Sequence, residues 1–467
     1  MSVNEALQEP LDTSSARKYD PDKDISFLCA ESRKYNNIDP SEYKRYRVKR
    51  GLRNDDGSGV VAGITRICNV HGYVMDEGEK SPVEGRITYR GVNLMDIIAA
   101  CRAEDRFGYE EVAWLLLYGQ LPTRHQLDIF DRSLSNQREL PPQFVDDVIM
   151  KAPSANIMNA LQRATLALYT YDEDPDGMSM ENVMRQSMSL IAKMPSMMVA
   201  AYQVKRRNFD HKSMYFHNPD KKLTVAENIL RTMRSDKQFT DQEAKMLDLC
   251  LMLHVEHGGG NNSTFATRVL TSSATDTYSA ISAGIGSLKG PRHGGANAKV
   301  LEMMGHIKEN VSNWQDETEV ARFLRKLMDK TAGDGSGLIY GMGHAVYTLS
   351  DPRAIMLKSC AESMVVGTEY EAEYNLIQLV EKLTPDIFRE KKGIDGPLCA
   401  NVDLYSGMVY TMLKIPPELM TPMFAVARTV GWCAHRIEEI FTTGGKIMRP
   451  AYKAISPRTD YVPLDKR

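Results

Sequence analysis

The chain has 467 residues, 42% of them apolar, and a formal net charge of −3, which is material for one large globular domain or two moderate ones. Balanced charge excludes both the basic face of a nucleic-acid binder and an acidic tail, so any anionic ligand must be met by local cations. No run approaches eighteen consecutive apolar residues, so no membrane span is expected.

Residues 1–50 read as a polar N-terminal extension wrapping a main body, rich in turn formers and acids, with short apolar patches such as "ISFLCA". They fit neither a secretory signal nor an Arg-rich transit peptide. Two β-branched runs follow, "GVVAGITRICNV" and "GRITYRG", and predict a short β-hairpin. From Leu94 onward the periodicity is helical, punctuated by Gly, Pro, Asn and Asp. In "TDQEAKMLDLCLMLHVEHGGG", Thr240 and Glu243 have capping-box spacing, Leu247, Cys250, Leu251 and His254 share a face, and Gly258 to Gly260 are expected to stop the helix. "GGANAKVLEMMGHI" reads as another helix, with Val300, Leu301, Met304 and Ile307 inward and Gly294 and Gly295 at its start. No fixed-period repeat or long Gly/Ser linker divides the chain. The glycine-rich "TAGDGSGLIYGMGH" is the candidate mobile hinge or ligand loop. The seven cysteines, Cys29, Cys68, Cys101, Cys250, Cys360, Cys399 and Cys433, form no Cys-x-x-Cys pair. They predict reduced, mostly buried thiols and a cytoplasmic setting.

Four stretches set ionisable residues beside helix ends. His257, after His254, Val255 and Glu256, is expected at a helix C-terminus, where the dipole favours a cationic ring able to grip a carboxylate. The alternative is a packed histidine capping carbonyls. Zinc is disfavoured because no His-Glu-x-x-His arrangement or third ligand is present. His293, in "GPRHGGAN", precedes a helix start, where a neutral imidazole can donate to an oxygen gaining negative charge. A structural turn histidine is its alternative. His344 lies in the glycine-rich loop, and Arg353, after Asp351-Pro352, offers a planar fork for a carboxylate. Asp403, at the front of the apolar "ANVDLYSGMVY", reads either as a helix cap or as a buried carboxylate with the raised pKa of a general base. Arg428 and Arg449 sit in apolar sequence, where an arginine usually has an anionic partner.

In order along the chain, "HVEHGGGNNSTF", "GPRHGGAN", "GMGHAVYTLSDPRA", "NVDLYSGMVY" and "ARTVGW" resemble the motifs of the citrate synthase family. The resemblance covers most of the chain, including "GLRNDDGSGVVAGITRI" through "GRITYRGVNLMDI" and "EEVAWLLLYGQLPT". It implies a mainly α fold with a large helical domain, 51–295 with 412–467, and a smaller helical domain, 296–411, that closes over the active site. It implies an acyltransferase that condenses acetyl-CoA with oxaloacetate and hydrolyses citryl-CoA to citrate and CoA, with the CoA thioester as co-substrate and neither cofactor nor metal. On the matching positions, Asp403 is the base, His293 the enolate donor and His344 the ketone activator. His257, Arg353, Arg428 and Arg449 bind oxaloacetate, Arg449 reaching across a homodimer.

The pattern departs at the CoA contact. Many bacterial members carry Arg after the loop histidine and Lys three positions beyond, where this chain has Ala345 and Thr348. Backbone at Gly341, Gly343 and Ala345 is the remaining CoA-binding candidate, with Arg292 or Lys289 supplying charge. The near alternative is a 2-methylcitrate synthase using propionyl-CoA, and the distant one a non-catalytic homologue that binds CoA esters as a regulator.

Overall fold

The computed structural model describes residues 20–76, 79–393, 396–442 and 444–467. In chain order they form α1 (Pro21–Tyr35), α2 (Pro40–Arg45), β1 (Cys68–Asp76), β2 (Glu79–Tyr89), β3 (Val92–Asn93), α3 (Leu94–Ala103), α4 (Tyr109–Tyr118), α5 (Arg124–Asn136), α6 (Ile157–Ala167), α7 (Met180–Phe209), α8 (Val225–Met233), α9 (Asp241–His254) and α10 (Asn262–Thr271). There follow α11 (Thr277–Leu288), α12 (Ala296–Asn310), α13 (Glu317–Met328), α14 (Pro352–Val365), α15 (Glu371–Lys392), α16 (Val402–Met412) and α17 (Met420–Thr442). The fold is mainly α, as the periodicity predicts. Among the described residues no helix is long and apolar enough to cross a membrane.

Residues Ala62–Pro450 form one compact unit, and the described residues up to Val61 form another with Ala451–Arg467. Within the smaller unit, α1 and α2 lie in the stretch read as a polar, turn-rich extension, of which residues 1–19 fall outside the described residues. Asp20 and Asp39 cap them and proline opens each, a start signal that outweighs local polarity. Neither buries a residue.

In the larger unit the hairpin is displaced from its predicted start. Pairing begins at Cys68, opposite Tyr89, while Ile64 stands 86% exposed and outside the described strands. β-branching alone does not make a strand without a partner. β3 extends the hairpin to an antiparallel order β1-β2-β3. The hairpin supports a distant loop: Thr348 Oγ1 donates to the Gly72 carbonyl at 2.6 Å and the Gly85 N–H donates to Ser350 Oγ at 3.1 Å.

α17 forms the centre. Nearly every residue from Met420 to Glu439 is buried, the pattern of a helix enclosed on all sides, and α4, α7, α9, α10 and α11 pack around it. The Thr240/Glu243 capping box starts α9, but the helix stops at His254 instead of running to Gly258. Arg428 Nε, projecting from α17, takes the His254 carbonyl at 2.8 Å, so a tertiary bond ends the helix before its glycines. α12 starts at Gly295 and buries Val300, Met304 and Ile307, with Leu301 partly covered. All seven cysteines are free thiols; Cys29 is exposed, Cys399 half-buried and the others buried.

Candidate active site

Six of the seven proposed chemistry-bearing residues converge in the larger unit. His257 lies just past α9, His293 before α12, His344 in the loop before α14, Arg353 in the first turn of α14, Asp403 in the first turn of α16 and Arg428 mid-α17. The His257 and His344 rings are 5.1 Å apart and nearly perpendicular. Tyr347 stacks 4.7 Å from His344, and the Arg353 guanidinium lies 5.5 Å over the Tyr347 ring. Arg353 and Arg428 both act electrostatically on His257 and on Asp403, and Arg428 acts on His293.

The seventh, Arg449, stands exposed on the segment after α17. Arg292, Lys289 and Ala345 are also exposed. Thr348 is occupied by its bond to Gly72, which gives it a structural task where the family pattern carries a basic residue.

The glycine-rich loop is tied down where it meets α16. Gly343 N–H donates to the Cys399 carbonyl and Asn401 N–H to the Gly341 carbonyl, both at 2.8 Å. Asn401 then works twice: its amide nitrogen donates to the Gly343 carbonyl at 2.9 Å, and its amide oxygen caps α16 by accepting the Asp403 N–H at 3.0 Å. Asn401, and not Asp403, is therefore the cap, which leaves the Asp403 carboxylate available. Gly341 has φ 84°, and a β-carbon there would fall 2.9 Å from Leu404 Cα. Gly341→Ala should cost about 2 kcal/mol or more through strain and clash and separate His344 from Asp403. A lowered melting temperature with reduced kcat is expected; an unchanged pair of values would refute the tie.

Burial sets the charge states. It pushes Asp403 up to about 6, against the opposing pull of Arg353. It pushes His293 down to about 4, with Arg428 adding to the effect. The neutral His293 read from the helix start is thus neutral chiefly through desolvation. His257 corrects the cationic expectation: burial, then Arg353, His344 and Arg428, hold it far below its ordinary value. It stands past the last turn of α9, among positive groups that outweigh any dipole.

Hydrogen bonds fix two complementary tautomers. His344 Nδ1 accepts the Val346 and Tyr347 N–H groups at 3.0 and 3.1 Å, so its proton belongs on Nε2. His293 Nε2 accepts the Ser263 N–H at 3.3 Å, so its proton belongs on Nδ1. Ser263 is itself held by Trp432, whose Nε1–H donates to its hydroxyl at 3.2 Å.

His257 Nε2, Tyr347 Oη and Arg428 Nη1 in the cluster are buried with no hydrogen-bond partner among the described residues. Orphaned groups of this kind are expensive unless a ligand completes them. Tyr347 was missed by the sequence reading, as was the role of Asp351. That buried carboxylate accepts from Arg353 Nε and Nη2 at 3.0 and 2.7 Å and from the Val402 N–H at 3.2 Å. It thereby clips α14 to α16. The signal was present in "SDPRA", where the carboxylate precedes a proline that starts a helix. Among the described residues no group of three or more His, Cys, Asp or Glu is arranged to hold a metal ion.

The family model "Citrate synthase, C-terminal domain" matches residues 56–451. Citrate synthase of Synechocystis sp. is 32% identical over 416 residues, 88% of this chain and 93% of that protein. 2-Methylcitrate synthase 1 of Corynebacterium glutamicum is 29% identical over 430 residues, 90% of this chain and 99% of that protein. The crystal structure of citrate synthase from Pyrobaculum aerophilum matches with a TM-score of 0.71 at 29% identity, covering 88% of this chain and 94% of that one. With two arginines, two tautomerically fixed imidazoles and a carboxylate of raised pKa gathered at one place, the chain belongs to the citrate synthase family and is an enzyme that condenses an acyl-CoA with oxaloacetate.

Proposed function

We propose that the acyl donor is acetyl-CoA, so that acetyl-CoA, oxaloacetate and water become citrate and CoA. The observation that carries the assignment of roles is a carboxylate with a pKa near 6 grouped with two neutral imidazoles of opposite tautomer. Asp403 removes a proton from the thioester methyl group, since a base poised near the working pH transfers protons most effectively. The His293 Nδ1–H donates to the enolate oxygen that forms. The His344 Nε2–H polarises the oxaloacetate ketone and passes its proton to the alkoxide as the carbon–carbon bond closes, and the proton that Asp403 took from the methyl group then restores the neutral ring and the carboxylate. Water then hydrolyses the citryl thioester.

Arg353 and Arg428 supply the positive charge for the two oxaloacetate carboxylates. The neutral His257 contributes a hydrogen bond instead of a charge. The exposed Arg449 suits donation to the site of a second copy in a homodimer. The Gly341, Gly343 and Ala345 backbone carries CoA, with Arg292 and Lys289 near its phosphates, and residues 296–411 act as the smaller domain that closes to exclude water. The free thiols support a cytoplasmic setting.

The likeness to 2-methylcitrate synthase 1 makes propionyl-CoA the competing donor. One methylene is worth about 1–3 kcal/mol in an acyl pocket. Oxaloacetate-dependent release of CoA thiol, measured in parallel on both thioesters, should show acetyl-CoA preferred in kcat/KM by about tenfold or more. A propionyl-CoA preference would overturn the assignment. Absence of release from either would instead favour the CoA-ester-binding regulator.

A further inference from the structure

Behind His257 lies a pair of side chains that no step above uses. Glu256 and His435 are both fully buried, with His435 Nε2 and Glu256 Oε1 3.0 Å apart. The same carboxylate accepts the N–H of Gly258, so it brackets His257 by gripping the backbone on its far side. The Glu256 carbonyl in turn accepts the Tyr89 hydroxyl at 3.1 Å.

His435 belongs to the face of α17 that carries Arg428 and Gly431, three and seven positions along from Arg428 and therefore on one stripe. Each member of that stripe meets the turn after α9. Arg428 holds the His254 carbonyl. Gly431 lets the turn approach, because a β-carbon there would fall 2.6 Å from the Val255 carbonyl oxygen. His435 holds Glu256. One helix face thus fixes both Arg428 and the turn that presents His257.

We propose that Glu256 and His435 are positioning residues for oxaloacetate: their buried bond sets the direction of His257 relative to Arg428. The proposal rests on the assignment of His257 and Arg428 to oxaloacetate binding. Two observations besides the pair's own bond support it. The His257 Nε2 and Arg428 Nη1 atoms are both buried with no hydrogen-bond partner among the described residues, so a ligand that spans them depends on their relative placement. Burial of an ionisable pair is costly unless its geometry is maintained, and the bonds that hold this turn come from side chains, those of Arg428, Tyr89 and Glu256 itself.

The test is steady-state kinetics of the full-length chain with His435→Ala and His435→Gln. Glutamine keeps an N–H donor near the position of the imidazole Nε2. His435→Ala should raise the oxaloacetate KM roughly tenfold, the fold-change of one lost buried hydrogen bond, with kcat at saturating oxaloacetate and the acyl-CoA KM changed less than about twofold. His435→Gln should restore most of the oxaloacetate KM. A loss of kcat with no change in oxaloacetate KM, or a glutamine variant no better than alanine, would overturn the proposal. Failure of the parent chain itself to use oxaloacetate would remove the functional reading on which it rests, and the proposal with it. An alanine variant that does not fold leaves the decision to the glutamine variant: a parental oxaloacetate KM supports the pair, and a raised one with intact fold argues against it.

Discussion

Asp403→Asn is expected to lower kcat by about 10²- to 10⁴-fold while leaving the chain folded and more stable than the parent at neutral pH. The first half follows from losing the proton acceptor. The second follows from the same burial that tunes it. Desolvation raises the Asp403 pKa from 3.8 to about 6, so the folded state binds this proton more tightly than the unfolded chain does. Stability from the protonated form is complete below 3.8 and is lost as pH rises through 6. Asparagine never ionises and avoids that loss, which is worth roughly 2 kcal/mol at pH 7 once the partial exposure of Asp403 is allowed for. Thermal melting at pH 7.5 should therefore favour the variant, and the gap should shrink towards pH 4. Parental kcat/KM should fall below pH 6 as the base is protonated. Melting temperatures that differ equally at both pH values would show that the stability effect has another origin.

Asp351→Ala should be the most damaging single change in fold and function together, at about 3–5 kcal/mol of stability. Its carboxylate is nearly fully enclosed and pairs with an Arg353 that is itself 3% exposed. Truncation strands that guanidinium in a dry site and frees the Val402 N–H at the start of α16. Asp403 and Arg353 then lose their common anchor, so kcat should fall and the oxaloacetate KM should rise in the same variant. Asp351→Asn retains an acceptor for the Val402 N–H but not the charge, and is expected to recover part of kcat with less of the oxaloacetate affinity. Urea unfolding midpoints measured beside the kinetics decide the matter: an alanine variant as stable as the parent would mean that α14 and α16 are held together by other contacts.

The two variants separate what local sequence encodes from what it does not. The start of α9 was legible because the Thr240/Glu243 capping box is a contact between residues three apart, and that of α12 because paired glycines mark an element boundary. The glycine-rich loop and the imidazole, guanidinium and carboxylate set were legible as residue types in order. Tyr347 was passed over because nothing near it in sequence distinguishes a buried, unpartnered hydroxyl from a packing tyrosine. The hairpin start was misplaced because Gly59–Ile67 has the composition of a strand but, among the described residues, contributes only an isolated bridge from Gly59 to Arg53.

Charge states were the least accessible. His257 read as a cation from its neighbours in sequence, yet burial away from water, with Arg353 and Arg428 from distant parts of the chain adding to it, holds its pKa far below the ordinary value. Asp403 reads from sequence as either a cap or a buried base, and it is Asn401 that holds the cap position. By itself the sequence determined the helical class, the order of the candidate side chains and the starts of α9 and α12, since these are written in periodicity and in neighbours within one turn. Tertiary structure alone decided which of those side chains carry charge, which ring nitrogen holds each proton and which carboxylates are clips instead of reagents. Desolvation and hydrogen-bond partners come from segments brought together only when α17 packs against α9 and when α14 packs against α16.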